Sequence, residues 1–97
     1  MPDIAYFYIL DKYVFLKTFQ GNTFPVDYTL DKLEEILDPA YFFRINRKYM
    51  ININAIANMY VYSRGRIKLD LQPKAEDPME TIVSINRSSD FKNWLNS

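Results

Sequence analysis

The chain has no cysteine and no histidine, so disulfides, thiolate or imidazole metal sites and the commonest general base are all excluded. Its two glycines, Gly21 and Gly65, stand far apart, which rules out the glycine-rich loops that cradle nucleotide phosphates. No apolar run approaches the roughly 20 residues of a membrane span, and Met1-Pro2-Asp3 lacks the basic-then-apolar start of a secretory signal. A cytoplasmic location is the expectation that follows. Net charge is lacking too: twelve basic residues offset twelve acidic ones, so the total charge gives no attraction to nucleic acid.

What is present is material for one core. Ninety-seven residues, 48% of them hydrophobic and 16% aromatic, fit a single domain spanning 1–97 and exclude a disordered tail. The charges are also segregated. Arg44, Arg47, Lys48, Arg64, Arg66 and Lys68 follow one another with no acid between them, whereas acids gather at Asp31, Glu34, Glu35 and Asp38 and again at Asp70, Glu76, Asp77 and Glu80. The first acidic group falls on the solvent side of an amphipathic helix and the second in or beside a proline-containing loop, neither of which preorganises a catalytic pair. No enzyme activity, metal or cofactor is expected.

Ile4 to Leu10 is a near-continuous apolar and aromatic run, predicting a strand buried on both faces, with Tyr6 and Tyr8 as core anchors. Asp11-Lys12 turns the chain into Tyr13 to Thr18 and completes a hairpin. Thr23 to Asp27, after a turn at Gly21-Asn22, contains Pro25, which cannot donate to a ladder and so suits a sheet edge. Thr29 caps a helix whose stripe is Leu30, Leu33, Ile36 and Leu37, and Asp38-Pro39 stops it. Tyr41 to Ile45 and Tyr49 to Ile51 read as strands interrupted at Asn46-Arg47-Lys48, with a single helical turn at Asn54-Ala55-Ile56. Met59 to Ser63 and Arg66 to Leu71 form a second hairpin about Ser63-Arg64-Gly65. Gln72 to Glu80 reads as an exposed loop with no packing role. Thr81 to Ser84 is a last strand, and Ser88 or Ser89 caps a short helix bearing Phe91, Trp94 and Leu95. The fold class is mainly β: an elongated antiparallel sheet or sandwich with one mid-chain α-helix and a short C-terminal helix.

The run Phe42-Phe43-Arg44-Ile45-Asn46-Arg47-Lys48-Tyr49-Met50-Ile51-Asn52 resembles the central signature of the LytTR domain, a polar kink between two short strands. Asp3 to Phe7, Leu30 to Asp38, and Val83-Ser84 followed by Phe91 to Leu95 agree in order and spacing, so the resemblance covers essentially the whole chain. It implies the output domain of a bacterial two-component response regulator. Such a domain binds double-stranded DNA through loops in successive major grooves, commonly at direct repeats in promoters, without a standard recognition helix. It also implies a phosphoacceptor receiver domain, absent from these 97 residues, whose phosphorylation would promote pairing of two copies on DNA.

By position, the resemblance implies that Lys12 and Tyr13, then Asn46, Arg47 and Lys48, then the segment after Ser84 face DNA. Many members resemble Val-Ser-Arg at the last place. Here Ile85 follows Ser84, so Arg87 and Asn86 are the nearest substitutes. Side-chain chemistry separates the roles: Arg47 and Arg87, with Asn46, suit base edges, while Lys12, Lys48 and Tyr13 suit the phosphate backbone. Arg44 is expected on the solvent side of its strand, and Arg64 and Arg66 as solubilising residues of a hairpin. Two other functions fit the composition. Tyr6, Phe7, Phe42 and Phe43 could form a stacking platform for single-stranded nucleic acid, and exposed strand edges could make a protein-interaction module.

Overall fold

The apolar run at the start of the chain becomes the organising strand β1 (Ile4–Leu10), third in a five-stranded antiparallel sheet of order β3-β2-β1-β5-β4. A computed structural model describes residues 3–97; Met1 and Pro2, the start of the segment read for a secretory signal, lie outside the described residues. The neighbours of β1 are β2 (Tyr13–Thr18) and β5 (Tyr49–Asn52), β3 (Thr23–Val26) forms one edge, and β4 (Phe42–Arg44) forms the other. Pro25 sits on the edge strand, as its missing N–H requires.

β1 serves a core on each of its faces, and a register shift between Ile4 and Tyr6 sets which side chains enter which. Side chains normally alternate along a strand, but this bulge inserts one residue and sends Ala5 and Tyr6 to the same face. Ala5, Tyr6 and Tyr8 enter one core with Tyr49, Ile51, Leu69, Val83, Phe91 and Trp94. Ile4 and Phe7 enter the other, beneath helix α1 (Leu30–Ile36), with Leu30, Leu33, Phe42 and Met50. Thr29 caps α1 by accepting from the Lys32 N–H at 3.1 Å, as its sequence position predicts. Ile36 departs from the predicted stripe and is 51% exposed. At 3.6 residues per turn it lies roughly 240° round from Leu30, while Leu37, at roughly 340°, packs on the core.

The second sheet, β6 (Ile56–Val61), β7 (Ile67–Leu71) and β8 (Ile82–Val83), is antiparallel in that order and closes the first core with α2 (Ser88–Leu95). The helical turn expected at Asn54 is a 3-10 turn over Ile53–Ala55, capped by Asn52. The Gln72 to Glu80 loop does have a packing role, contrary to expectation. The Tyr6 hydroxyl, taken into the core with its ring, shares its proton between the carbonyl oxygens of Pro73 and Lys74, each 3.0 Å away, and Ala75 packs on the same cluster. Neither Ser88 nor Ser89 caps α2. The chain enters that helix from a 3-10 turn over Ile85–Arg87, and Arg87 occupies the cap position without a side-chain bond. Trp94 donates to the Pro39 carbonyl at 3.0 Å, tying α2 to the connection between α1 and β4. The body measures 34 × 25 × 24 Å, longest along one axis. No helix among the described residues is long and apolar enough to cross a membrane.

Candidate nucleic-acid interface

The polar interruption between β4 and β5 is a kink held from both sides. Arg44 supports it from below: Nε donates to the Asn46 carbonyl at 3.1 Å and Nη2 to the Arg47 carbonyl at 3.0 Å. Its Nη1 pairs with Asp31 and, at 2.9 Å, with Glu34, both on α1. The Arg44 side chain is only 10% exposed, which corrects its expected place on the solvent side of the strand. A guanidinium that low in the surface must satisfy its fork of donors, and two carbonyls and two carboxylates do so.

Asn46 supports the kink from the other side. Its Oδ1 accepts from the N–H groups of Lys48 at 2.8 Å and Tyr49 at 2.9 Å, while Nδ2 donates to the carbonyls of Glu80 at 2.8 Å and Ile82 at 2.9 Å. Both amide hydrogens and both oxygen lone pairs are therefore used. In this state Asn46 has nothing left for a base and acts as the bracket of the kink. Arg47, between the two braces, is exposed and has no ion-pair partner among the described residues.

Two further segments adjoin the kink. Ile9 donates to the Lys48 carbonyl at 3.0 Å, which sets the β1–β2 turn beside it. Asp11 and Lys12 both have positive φ, 51° and 74°, the signature of a type I′ turn. That turn leaves Lys12 exposed and Tyr13 70% exposed. On the opposite side, Ser84 donates to the Ile45 carbonyl at 2.9 Å, and Arg87 Nη1 donates to the Arg44 carbonyl at 3.3 Å while lying 3.9 Å from Glu34. The three segments singled out in the sequence are thus contiguous, with the kink in the middle.

The electrostatics are uneven across this flank. Lys48 pairs with Glu80, and Arg87 leans on Glu34, whereas Arg47 and Lys12 are unopposed among the described residues. A groove of about 440 Å³ between the kink and the last turn is lined by Asn46, Arg66, Glu80, Ile82, Ser84, Ile85 and Asn86. Arg66 reaches it because Ile67 pairs with Val83, which brings the base of the second hairpin beside Ser84. Its Nε is buried without a hydrogen-bond partner among the described residues. Asn86 is exposed at the rim. The aromatics of the supposed stacking platform are elsewhere: Tyr6, Phe7 and Phe42 are buried, and Phe43 stacks on Trp94 with ring centroids 5.2 Å apart. Burial pushes the Tyr6 and Tyr49 phenols well above their ordinary value of 10.0, so both are protonated packing groups rather than acids or bases.

The family model of the LytTr DNA-binding domain matches residues 1–96. The chain belongs to that family. No curated protein gives a significant match to it. Among solved structures, a Bacillus cereus LytTr DNA-binding domain, named as part of a methyl-accepting/DNA response regulator, superposes with a TM-score of 0.82 at 22% identity. The superposition covers 98% of this chain and 83% of that one. Two residues of this LytTr domain line the groove beside the kink in ways their sequence positions do not show. Arg66 reads as an ordinary hairpin cation, because only the β7–β8 register carries it to the groove. Ile85 reads as a departure from a basic position, because its exposure depends on the turn that holds it.

Proposed function

We propose that this domain binds double-stranded DNA sequence-specifically, with the 46–48 kink in the major groove, as the output module of a bacterial transcriptional regulator. The observation that carries this reading is Arg47, exposed and without an ion-pair partner among the described residues, in a kink braced by Arg44 and Asn46. A fixed backbone presenting a free guanidinium suits bidentate recognition of guanine. Two strand spacings of about 4.8 Å separate the β1–β2 turn from the kink by roughly 10 Å, close to the roughly 12 Å width of the major groove. Lys12 and Tyr13 then meet the phosphate wall while Arg47 and Asn86 reach base edges. Lys48 exchanges Glu80 for phosphate, Arg87 contributes from its half-tethered position, and Asn46 acts by positioning its neighbours.

The family suggests two copies on direct repeats, a receiver domain in the full regulator and work in the cytoplasm; catalysis forms no part of this reading. Selection from random duplexes tests it. A defined sequence preference is expected, with single-stranded DNA a poor competitor. If about five phosphates are neutralised, log affinity falls against log salt with a slope near roughly −4.5. A chain that enriches no sequence, or prefers single strands, would end this reading.

A further inference from the structure

Ile85 is 63% exposed and lines the groove beside the kink. Its backbone is fixed. Ser84 is bonded to Ile45, and Arg87 N donates to the Ser84 carbonyl at 3.0 Å, closing the 3-10 turn that holds the side chain outward. The groove surface is mostly apolar, lined in part by Ile82 and Ile85, with the polar Ser84 and Asn86 flanking Ile85 in the chain. An apolar strip confined to this groove is far smaller than the contiguous patch a protein interface draws on. It matches the arrangement of one base pair. In the major groove the thymine C5-methyl is an apolar group bordered by hydrogen-bonding atoms.

We infer that Ile85 is a specificity-determining residue that packs against the C5-methyl of a thymine, while the neighbouring Asn86 amide takes a hydrogen-bonding base edge. This rests on the duplex-binding reading above and adds to it the base that the last turn selects. An arginine at this place would prefer guanine; isoleucine replaces that hydrogen-bonded choice with a methyl-to-methyl contact.

The experiment uses the duplex selected by the unaltered chain, with each thymine replaced singly by deoxyuracil, which pairs identically but lacks the methyl. At one position the unaltered chain loses about three- to five-fold in affinity, the effect of one buried methyl. Ile85→Ala loses a similar factor on the thymine duplex and is indifferent to deoxyuracil there, and selection with Ile85→Arg replaces that thymine by guanine. Ile85 contributes little to the core, so Ile85→Ala is expected to keep its melting temperature, checked by circular dichroism. Equal tolerance of deoxyuracil at every position, or a penalty that persists in Ile85→Ala, would overturn the thymine contact and leave duplex binding intact. Failure of the unaltered chain to bind any duplex would remove both.

Discussion

The side-chain nitrogen of Asn46 donates to the carbonyl of Ile82 at 2.9 Å, joining the kink to a strand 36 residues away. The same amide accepts from Lys48 and Tyr49 and donates to Glu80. Replacing it strands several half-buried backbone groups, so Asn46→Ala is expected to lose about 2–3 kcal/mol of stability. Arg47→Ala touches no such network and is expected to stay within about 0.5 kcal/mol of the parent, while duplex affinity drops by roughly ten-fold or more. Urea denaturation and fluorescence anisotropy on a labelled duplex separate the two effects. Equal destabilisation by both changes would contradict the division between bracket and reader.

Lys48 is held by the Glu80 carboxylate, which also places negative charge where phosphate would lie. Glu80→Gln keeps the shape and the backbone carbonyl that Asn46 uses. Duplex affinity is expected to rise by about two- to five-fold near 0.1 M salt, the scale of a partly exposed ion pair. The salt dependence becomes steeper as Lys48 is released. Titrations at four or more salt concentrations measure both quantities, and a weaker complex would show that Glu80 helps rather than opposes binding.

Lys12 sits at φ 74°, a left-handed conformation that glycine adopts without a Cβ clash. Lys12→Gly is expected to stabilise the fold by about 0.5–1 kcal/mol and to lower the salt slope by about 0.9 through loss of one phosphate contact. Stability and binding would thus move in opposite directions. Thermal melts together with salt titrations test this; a loss of stability would mean that the lysine stem, not the turn, matters at this position.

The Tyr6 phenol is pushed up by burial and by the neighbouring Tyr49, and the Tyr49 phenol by burial and by Glu80. A folded-state pKa above the unfolded value stabilises fully below the unfolded pKa and is lost as pH rises beyond it. The unfolded value is near 10.0, so the urea midpoint is expected to hold up to about pH 9.5 and to fall progressively above it. Tyr6→Phe starts lower, having lost its bonds to Pro73 and Lys74, but falls less steeply above pH 10. A midpoint flat to pH 11.5 would show that these phenols ionise as easily folded as unfolded.

Local signals in the sequence carried most of the fold. The run Ile4–Leu10, the turn at Asp11-Lys12, Pro25 at an edge and Thr29 as a cap all follow from groups within a few residues of one another. What stayed hidden depends on distant partners. Arg44 looks like a solvent-side residue until α1 brings Asp31 and Glu34 to it, and the loop after Gln72 looks idle until Tyr6, 67 residues before Pro73, supplies a hydroxyl for it to accept. The candidate site was legible as three segments, but the roles within them were not. Asn46 has an ideal side chain for adenine, and only the tertiary hydrogen bonds reveal that it is already spent.

β6 lies outermost in the small sheet and carries neither a charge nor a proline along IANMYV, whereas Pro25 blunts the β3 edge. Such a strip offers its free peptide groups to the same strip on another molecule, with Met59 and Val61 available to cover the join. The isolated domain is therefore expected to self-associate through this edge as its concentration rises, which light scattering would check. A single cation introduced there, Met59→Lys, is the first remedy to try, because it lies away from the kink and would leave recognition untouched.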